Sequence, residues 1–523
     1  MTPRIRWNPH AYAFVFVMLL GAALRLYDIG GVPSELIADE LDPYNSVQSL
    51  VTTGHDIDGT RLPFLYSEFT RHPPIYGLCE YASSLIFGKN PFALRFPAVL
   101  FGLAAIGLMY AIAFALTRRR DIALMTALLE ATQPIFVHFS RVGWEPASEL
   151  PFLLGGVYVL LRAFDSVGAD ARARVDFKGL ALAALLLGLT SYTYMAGWAY
   201  AVVLGGAIVA LNVPRLRSRV AVGEVLGAIA VWGLVSAPAL WMWSIDQRPQ
   251  RLSTFNTGFA AAAQTFATHY IAQFHWSYLV TTGEPQPGLT WRYLVGFGAF
   301  FWWVIPLAAV GLASAGAYIR TRWALAWVWI WLLAYPLGSA LTREAGPNAP
   351  RTLAGAPIFC LLAAIGFAAL LDLVRTLGSA KMRKIGVVVV SALLAANLAA
   401  SVLLFSVDYF TKYVHVYPNA WDSGTRAMFA FIRDRREGYA RVCFSVLPAW
   451  YATDTYVRYY IADLPLQKID DITDPACFLP GTLLVIDANH AVRRPGFARL
   501  VTIRDVNGSP FAVVTARPVA RAP

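Results

Sequence analysis

Residues 11–27 read AYAFVFVMLLGAALRLY, and after a short loop the chain sets two adjacent carboxylates in Ile37-Ala38-Asp39-Glu40-Leu41. As a helix, the first run is about 25 Å long, close to the thickness of a hydrocarbon core of about 30 Å. The second places acid at the edge of that core, where an ionised side chain needs a partner or a task. Together they indicate a helical membrane protein whose chemistry sits at one surface.

Composition supports this reading across all 523 residues: 57% are hydrophobic, 14% are charged and the mean hydropathy is +0.52, with 16 Trp and 31 Phe. Apolar runs of about 18 to 25 residues recur, most of them closed by Arg or Lys. They predict eleven spans, at 11–27, 92–117, 121–139, 147–164, 177–194, 196–213, 220–244, 293–319, 324–341, 352–374 and 385–408. With Arg4 and Arg6 cytoplasmic, the cation clusters Arg118-Arg119-Arg120, Arg162 to Lys178, Arg215 to Arg219, Arg320 with Arg322, and Arg375 to Lys384 all fall on the cytoplasmic side, as the positive-inside rule requires. The 43 Lys and Arg outnumber the 32 Asp and Glu. Their clustering at helix ends reads as topology, and no nucleic-acid partner is expected. The first span runs into Leu24-Arg25-Leu26-Tyr27 without a small-residue cleavage site and is expected to stay as an anchor.

This topology divides the chain into a membrane domain, 1–410, and an extracytoplasmic tail, 411–523, in which helix and β-rich runs alternate as in a small α/β domain. The first outer loop, 28–91, holds two amphipathic stretches too short to span, Leu41 to Val51 and Ile75 to Phe87, which are expected to lie in the interface. The 245–292 and 342–351 segments are also placed outside. Cys443 and Cys477 lie in the tail, where a disulfide could persist; Cys79 and Cys360 read as thiols. Phosphate-binding glycine loops, paired-Cys zinc spacing, His-Glu-x-x-His and Gly-x-Ser-x-Gly are all absent from the sequence.

Four runs in order carry a resemblance: Pro33 to Glu40; Thr53-Gly54-His55-Asp56-Ile57-Asp58-Gly59; Arg71-His72-Pro73-Pro74-Ile75-Tyr76; and Phe92 to Gly102. Ser140 to Glu145, Tyr192-Thr193-Tyr194 and Pro350-Arg351-Thr352-Leu353 continue it. The chain resembles membrane glycosyltransferases of the GT-C fold, in the group of protein O-mannosyltransferases and aminoarabinose transferases (glycosyltransferase family 39-like). That resemblance implies inverting transfer of a hexosyl or pentosyl unit from a polyprenyl-phosphate donor to a lipid, glycan or protein hydroxyl, on the outer face of a bacterial inner membrane. Surrounding lipids are the remaining partner.

Such a reaction needs a base at the acceptor hydroxyl and positive charge on the leaving phosphate. The resemblance implies Asp39 as the base, although a carboxylate there would also suit the start of the helix after it. Glu40 is read as catalytic, structural or metal-holding. Glu145 matches a second acidic position, and the same spacing would equally allow an Arg141–Glu145 pair. Arg351 is expected on the donor phosphate, where its planar fork matches phosphate oxygens. Arg71, His72 and Arg343 are further candidates, with His72 standing where the aminoarabinose transferases carry lysine. Tyr192, Tyr194, Trp198 and Arg141 are expected to touch sugar or acceptor, the aromatics otherwise forming an interfacial belt. No cofactor is required, although Asp39, Glu40 and His55 could hold a divalent metal. Two other readings stand beside this one: a transporter of lipid or lipid-linked sugar using the mid-span Glu130, and a carbohydrate-binding scaffold without turnover.

Overall fold

A computed structural model describes residues 9–57, 59, 73–165, 176–216, 219–245, 259–283, 297–342, 346–416, 421–445, 453–461, 466–469, 475–488 and 495–517. The chain opens with α1 (Pro9–Leu26), followed by two helices too short to span, α2 (Ala38–Thr53) and α3 (Pro74–Phe87), where sequence predicts interfacial helices. α4 (Pro91–Thr117) begins where Asn90 accepts a hydrogen bond from the Ala93 amide at 3.0 Å and Pro91 occupies the first turn, whose amides need no helical partner. α5 (Arg120–Thr132), α6 (Pro134–Phe139), α7 (Pro146–Asp165), α8 (Phe177–Leu189), α9 (Gly197–Tyr200), α10 (Gly206–Asn212) and α11 (Arg219–Ile245) follow. The second half of the bundle holds α12 (Phe259–Ala272), α13 (Val304–Tyr318), α14 (Arg322–Ala334), α15 (Leu337–Ala340), α16 (Ala349–Thr352), α17 (Pro357–Val374) and α18 (Ala380–Val407).

Among the described residues seven helical stretches have the length and apolarity to cross a membrane, and three shorter apolar helices accompany them. Several predicted spans are interrupted. The 121–139 run breaks at Gln133-Pro134, because proline cannot donate to the preceding turn. The exposed backbone is paired inside the protein: Gln133 Oε1 accepts from the Phe301 amide at 2.9 Å, and the Ile135 amide donates to Ala299 O at 3.2 Å. α13 and α17 pack backbone to backbone at Gly311 and Gly366, where a Cβ would stand 1.7 Å from Leu362 O and 2.0 Å from Leu307 O. Segment 245–292, read from sequence as a loop, contains α12, and His269 on it and Gln273 just after it are buried.

The bundle has two distinct ends. At one, Arg119 pairs with Asp121 and Asp372, and the Arg320 amide donates to Leu116 O, joining three cation-bearing turns. The other end lies about 40 Å away along α4. It holds the 28–37 segment, α2, α3 and the start of α7.

α18 continues through a wide turn into α19 (Tyr413–Val416), and Trp421 still packs against His138 of α6. The C-terminal unit then folds as α20 (Thr425–Arg435), β1 (Arg441–Ser445), α21 (Thr453–Ile461), β2 (Leu466–Ile469), β3 (Thr482–Asp487), β4 (Ala498–Arg504) and β5 (Pro510–Arg517). The sheet order is β2-β1-β3-β5-β4, parallel around β1 and antiparallel around β5. A disulfide joins Cys443 on β1 to Cys477 before β3. Met428, Phe429, Ile432, Val442, Phe444 and Val485 share one apolar core with Leu36, Leu41 and Tyr44 of the first loop. The C-terminal unit therefore docks on the segment that carries the acidic pair.

Candidate active site

Arg95, in the second turn of α4, organises the first loop. Its guanidinium donates to the carbonyls of Ile29 at 3.0 Å, Pro33 at 2.8 Å and Glu35 at 2.6 Å, and bridges to the Glu40 carboxylate at 2.8 and 3.0 Å. Both residues are fully buried. Glu40 also accepts from the Ile37 amide at 3.1 Å, the carboxylate half of a capping box, and from the Gly143 amide at 2.7 Å. Both of its oxygens are engaged, and they tie the start of α2 to the start of α4 and to the turn before α7. Asp39 stands beside it in the first turn of α2 and remains partly exposed. The dipole of α2 favours negative charge at that position.

Arg141 works in the same way one layer deeper. It donates to Leu24 O at 3.0 Å, Arg25 O at 2.9 Å, Asp28 O at 3.3 Å and Val32 O at 2.9 Å, and lies over the Phe410 ring at 4.7 Å. Its donors satisfy the open carbonyls at the end of α1, a need that sequence spacing to Glu145 does not reveal.

A further carboxylate joins this group. Glu80 of α3 is fully buried, and neither of its oxygens has a hydrogen-bond partner. A Cβ at Gly143 would lie 3.1 Å from Glu40 Oε1 and 3.2 Å from Glu80 Oε1, so any side chain there would crowd the point where the two carboxylates converge. Burial, then the nearby Glu145 and Glu40, hold the Glu80 carboxyl well above the usual carboxylate range. The folded protein therefore holds the Glu80 proton to a higher pH than the unfolded chain does. Because its folded pKa is raised, folding is penalised as pH climbs above the unfolded value of about 4.3, by about 1.4 kcal/mol per pH unit until the folded pKa is reached. Glu80→Gln is thus expected to match the wild type near pH 4 and to gain thermal stability over it as pH rises above the unfolded value. A pH-independent difference between the two melting curves would show that Glu80 is ionised in the native state.

Glu145 is buried at the turn into α7, and Glu149 lies about 6 Å further along that helix. A Cβ at Gly197 of α9 would meet Glu149 Cγ at 3.2 Å. From α9 the Tyr200 hydroxyl donates to Tyr335 O at 2.8 Å and Arg351 O at 3.2 Å and accepts from the Gly338 amide at 3.3 Å. A chain of contacts thus runs from the Asp39 segment, through the start of α7, to Arg351.

Arg351 is buried in α16 and donates to the Thr342 hydroxyl. Its backbone is held by a relay absent from any sequence pattern: Gln273 Oε1 accepts from the Asn348 amide at 3.2 Å, and Asn348 Oδ1 accepts from the Arg351 amide at 3.3 Å. Tyr192, which donates to Val235 O at 2.8 Å, and the buried Tyr194 lie on the break between α8 and α9, and the half-buried Trp198 lies on α9, whose Tyr200 contacts Arg351. Arg71, His72 and Arg343 lie outside the described residues.

The proposed metal set does not assemble. Asp39 and His55 sit at opposite ends of α2, about 24 Å apart, and the His55 ring faces Thr53 O at 2.9 Å. Among the described residues no three His, Cys, Asp or Glu side chains are grouped as a metal site would need. Glu130, the mid-span acid, is buried where Arg25 of α1 donates to Ala131 O at 2.8 Å and to Glu130 O at 3.3 Å, which sets a cation beside it.

These features define a polytopic helical membrane protein with an acid-rich site at one end, framed by two short helices and capped by an α/β unit. The match is specific: residues 71–243 fit the family model described as dolichyl-phosphate-mannose-protein mannosyltransferase. The fold is that of ArnT from Cupriavidus metallidurans in the apo state, at TM-score 0.57 and 14% identity over 98% of this chain and 99% of that one. The same protein bound to undecaprenyl phosphate superposes at TM-score 0.56 with 14% identity and the same coverage. The oligosaccharyltransferase AglB from Archaeoglobus fulgidus, in complex with an inhibitory peptide and a dolichol-phosphate, matches at TM-score 0.54 and 13% identity over 86% of this chain and 63% of that one. No curated protein matches the chain by sequence. The chain thus has the GT-C fold of these structures, and within it residues 71–243 carry the likeness to the mannosyltransferase family.

Proposed function

We propose that this protein is an inverting glycosyltransferase that moves a hexosyl or pentosyl unit from a polyprenyl-phosphate donor to an acceptor hydroxyl at the outer face of a bacterial inner membrane. The observation that carries the reading is the presentation of Asp39: a partly exposed carboxylate on a first turn locked by the buried Arg95–Glu40 pair, at the end of the bundle where the C-terminal unit docks. Two solved relatives of the same fold are described with a polyprenyl phosphate, one with undecaprenyl phosphate and one with dolichol-phosphate.

In this reading Asp39 takes the proton as the acceptor oxygen attacks the anomeric carbon, and the phosphate departs from the opposite face. Arg351 neutralises the phosphate, with Gln273, Asn348 and Thr342 fixing its approach. Glu40 acts as a positioning residue. Glu145, buried between Glu80 and Glu149, contributes to the acceptor side, and Tyr192, Tyr194 and Trp198 border the Arg351 side. The transporter reading rests on Glu130 alone, beside which Arg25 donates to the peptide carbonyls of Glu130 and Ala131.

The test is a transfer assay on the protein in lipid, with a panel of radiolabelled polyprenyl-phosphate sugars and an envelope-extract acceptor mixture. Transfer from at least one donor is expected, and binding of every donor without turnover would sink the proposal. In the same assay Arg351→Gln is expected to raise the donor KM by about 10-fold or more, the scale of one charge-assisted contact of about 1.5–3 kcal/mol. An unchanged donor KM would remove Arg351 from the phosphate site.

A further inference from the structure

A cleft of about 660 Å³ opens between the start of α4 and the two helices of the C-terminal unit. Its cations are Lys89 before α4 and Arg426 and Arg433 on α20; its aromatic walls are Phe429, Tyr459 and Tyr460. Among the described residues no carboxylate lines it. At its edge Glu35 reaches Arg426 Nε at 3.3 Å and Asp434 stands 4.0 Å from Arg433 Nε.

The aromatic wall is ordered rather than a loose surface patch. Phe429 and Tyr460 stack at 4.9 Å with an interplanar angle of 12°, Tyr459 stands edge-on to Tyr460 at 4.9 Å, and the Lys89 ammonium lies 4.4 Å over the Tyr459 ring. The Tyr459 and Tyr460 hydroxyls are buried without a hydrogen-bond partner. A buried hydroxyl left unpaired carries a cost that a bound polar ligand would relieve. Tyr459 also meets Tyr44 of α2 at 5.6 Å, and Tyr44 is about 7.5 Å along that helix from Asp39. The cleft is therefore within the reach of a short glycan whose other end lies at Asp39.

Three cations against two neighbouring acids leave the described lining net positive, which favours an anion, while aromatic faces favour sugar rings and spare hydroxyls favour polar substituents. We propose that this cleft binds an anionic saccharide portion of the acceptor, a sugar bearing a carboxylate or phosphate, and that the C-terminal unit thereby selects the acceptor. The inference rests on the glycosyltransferase reading above and adds an acceptor class to it.

The experiment is equilibrium binding to the full-length protein in nanodiscs of zwitterionic lipid. The probes are a uronate-containing tetrasaccharide, a neutral N-acetylhexosamine tetrasaccharide of the same length, and undecaprenyl phosphate. The acidic probe is expected to bind at least 10-fold tighter than the neutral one and to weaken with added salt. Lys89→Gln with Arg433→Gln is expected to weaken it at least 10-fold while undecaprenyl phosphate binding is unchanged. Both substituted residues are exposed overall, and the unchanged undecaprenyl phosphate binding reports that the double variant is folded; Tyr460→Phe, an isosteric change, tests the buried wall separately. Equal affinity for both saccharides, or an unchanged acidic-probe affinity in the double variant, would overturn the proposal. So would a loss confined to undecaprenyl phosphate, which would make the cleft a lipid-phosphate site. Binding needs no turnover, so failure of this inference and failure of the transfer reaction are separately visible.

Discussion

Asp39→Asn protein, purified in lipid, is expected to lose transfer activity by a factor of about 10²–10⁴, the contribution of a positioned general base. Its melting temperature should stay close to that of the wild type. The substitution keeps the size of the side chain and its place in the first turn of α2, and asparagine serves near a helix start almost as well as aspartate. The helix dipole accounts for only about 0.3–1 kcal/mol of any stability change at such a position. A purely structural Asp39 would show a small shift in melting and near-normal kcat. A catalytic one would show the reverse, with donor binding retained because the phosphate partner is assigned to Arg351 on α16. Retained transfer in this variant would take Asp39 out of the mechanism.

The second large effect concerns Arg95. Arg95→Met removes one guanidinium that bridges Glu40 and holds three carbonyls of the 28–37 segment. Breaking a buried ion pair from one side leaves an uncompensated charge, at a cost of about 3–5 kcal/mol. A marked drop in the unfolding temperature and loss of transfer are expected together, since Asp39 is displayed by the same turn. Pairing the change with Glu40→Gln removes the stranded carboxylate, so the double variant should be more stable than Arg95→Met alone, with a coupling above about 1 kcal/mol in a double-mutant cycle. Additive effects would mean that the two side chains act independently, contrary to the 2.8 Å contact between them. The comparison also separates structure from chemistry: a double variant that folds but does not turn over would show that Asp39 needs the Arg95-organised loop to be productive.

The two predictions differ in kind because the two acids, adjacent in sequence, face different surroundings. Asp39 points from the first turn with partial exposure, whereas Glu40 is enclosed by Arg95, the Ile37 amide and the Gly143 amide. Sequence reads them as one acidic pair. Only the convergence of α2, α4 and the 140–145 turn tells them apart.

What the sequence by itself determined is the part that rests on composition and local period. Long apolar runs dictate a helical membrane protein, cation clusters mark one end of the bundle, and short amphipathic stretches foretell α2 and α3. Alternating β-rich runs in the tail foretell its sheet, because each of these follows from a solvent preference repeated along the chain. What only the tertiary structure decided are contacts between residues far apart in sequence, for which no local period exists. Glu80 reads as one polar residue on a short apolar helix until α3 meets the 140–145 turn and Glu145. Gln273 falls in a stretch with no periodic signal strong enough to mark α12, yet it supports the Arg351 peptide through Asn348. His55 looks like a neighbour of Asp39 on the page but is about 24 Å away, because a helix converts sequence separation into axial distance. Arg141, expected on sugar or acceptor, and Arg95, given no role by the sequence, prove to be buried, since the carbonyls left open by the end of α1 and its loop cannot be hydrated there and must find donors within the protein.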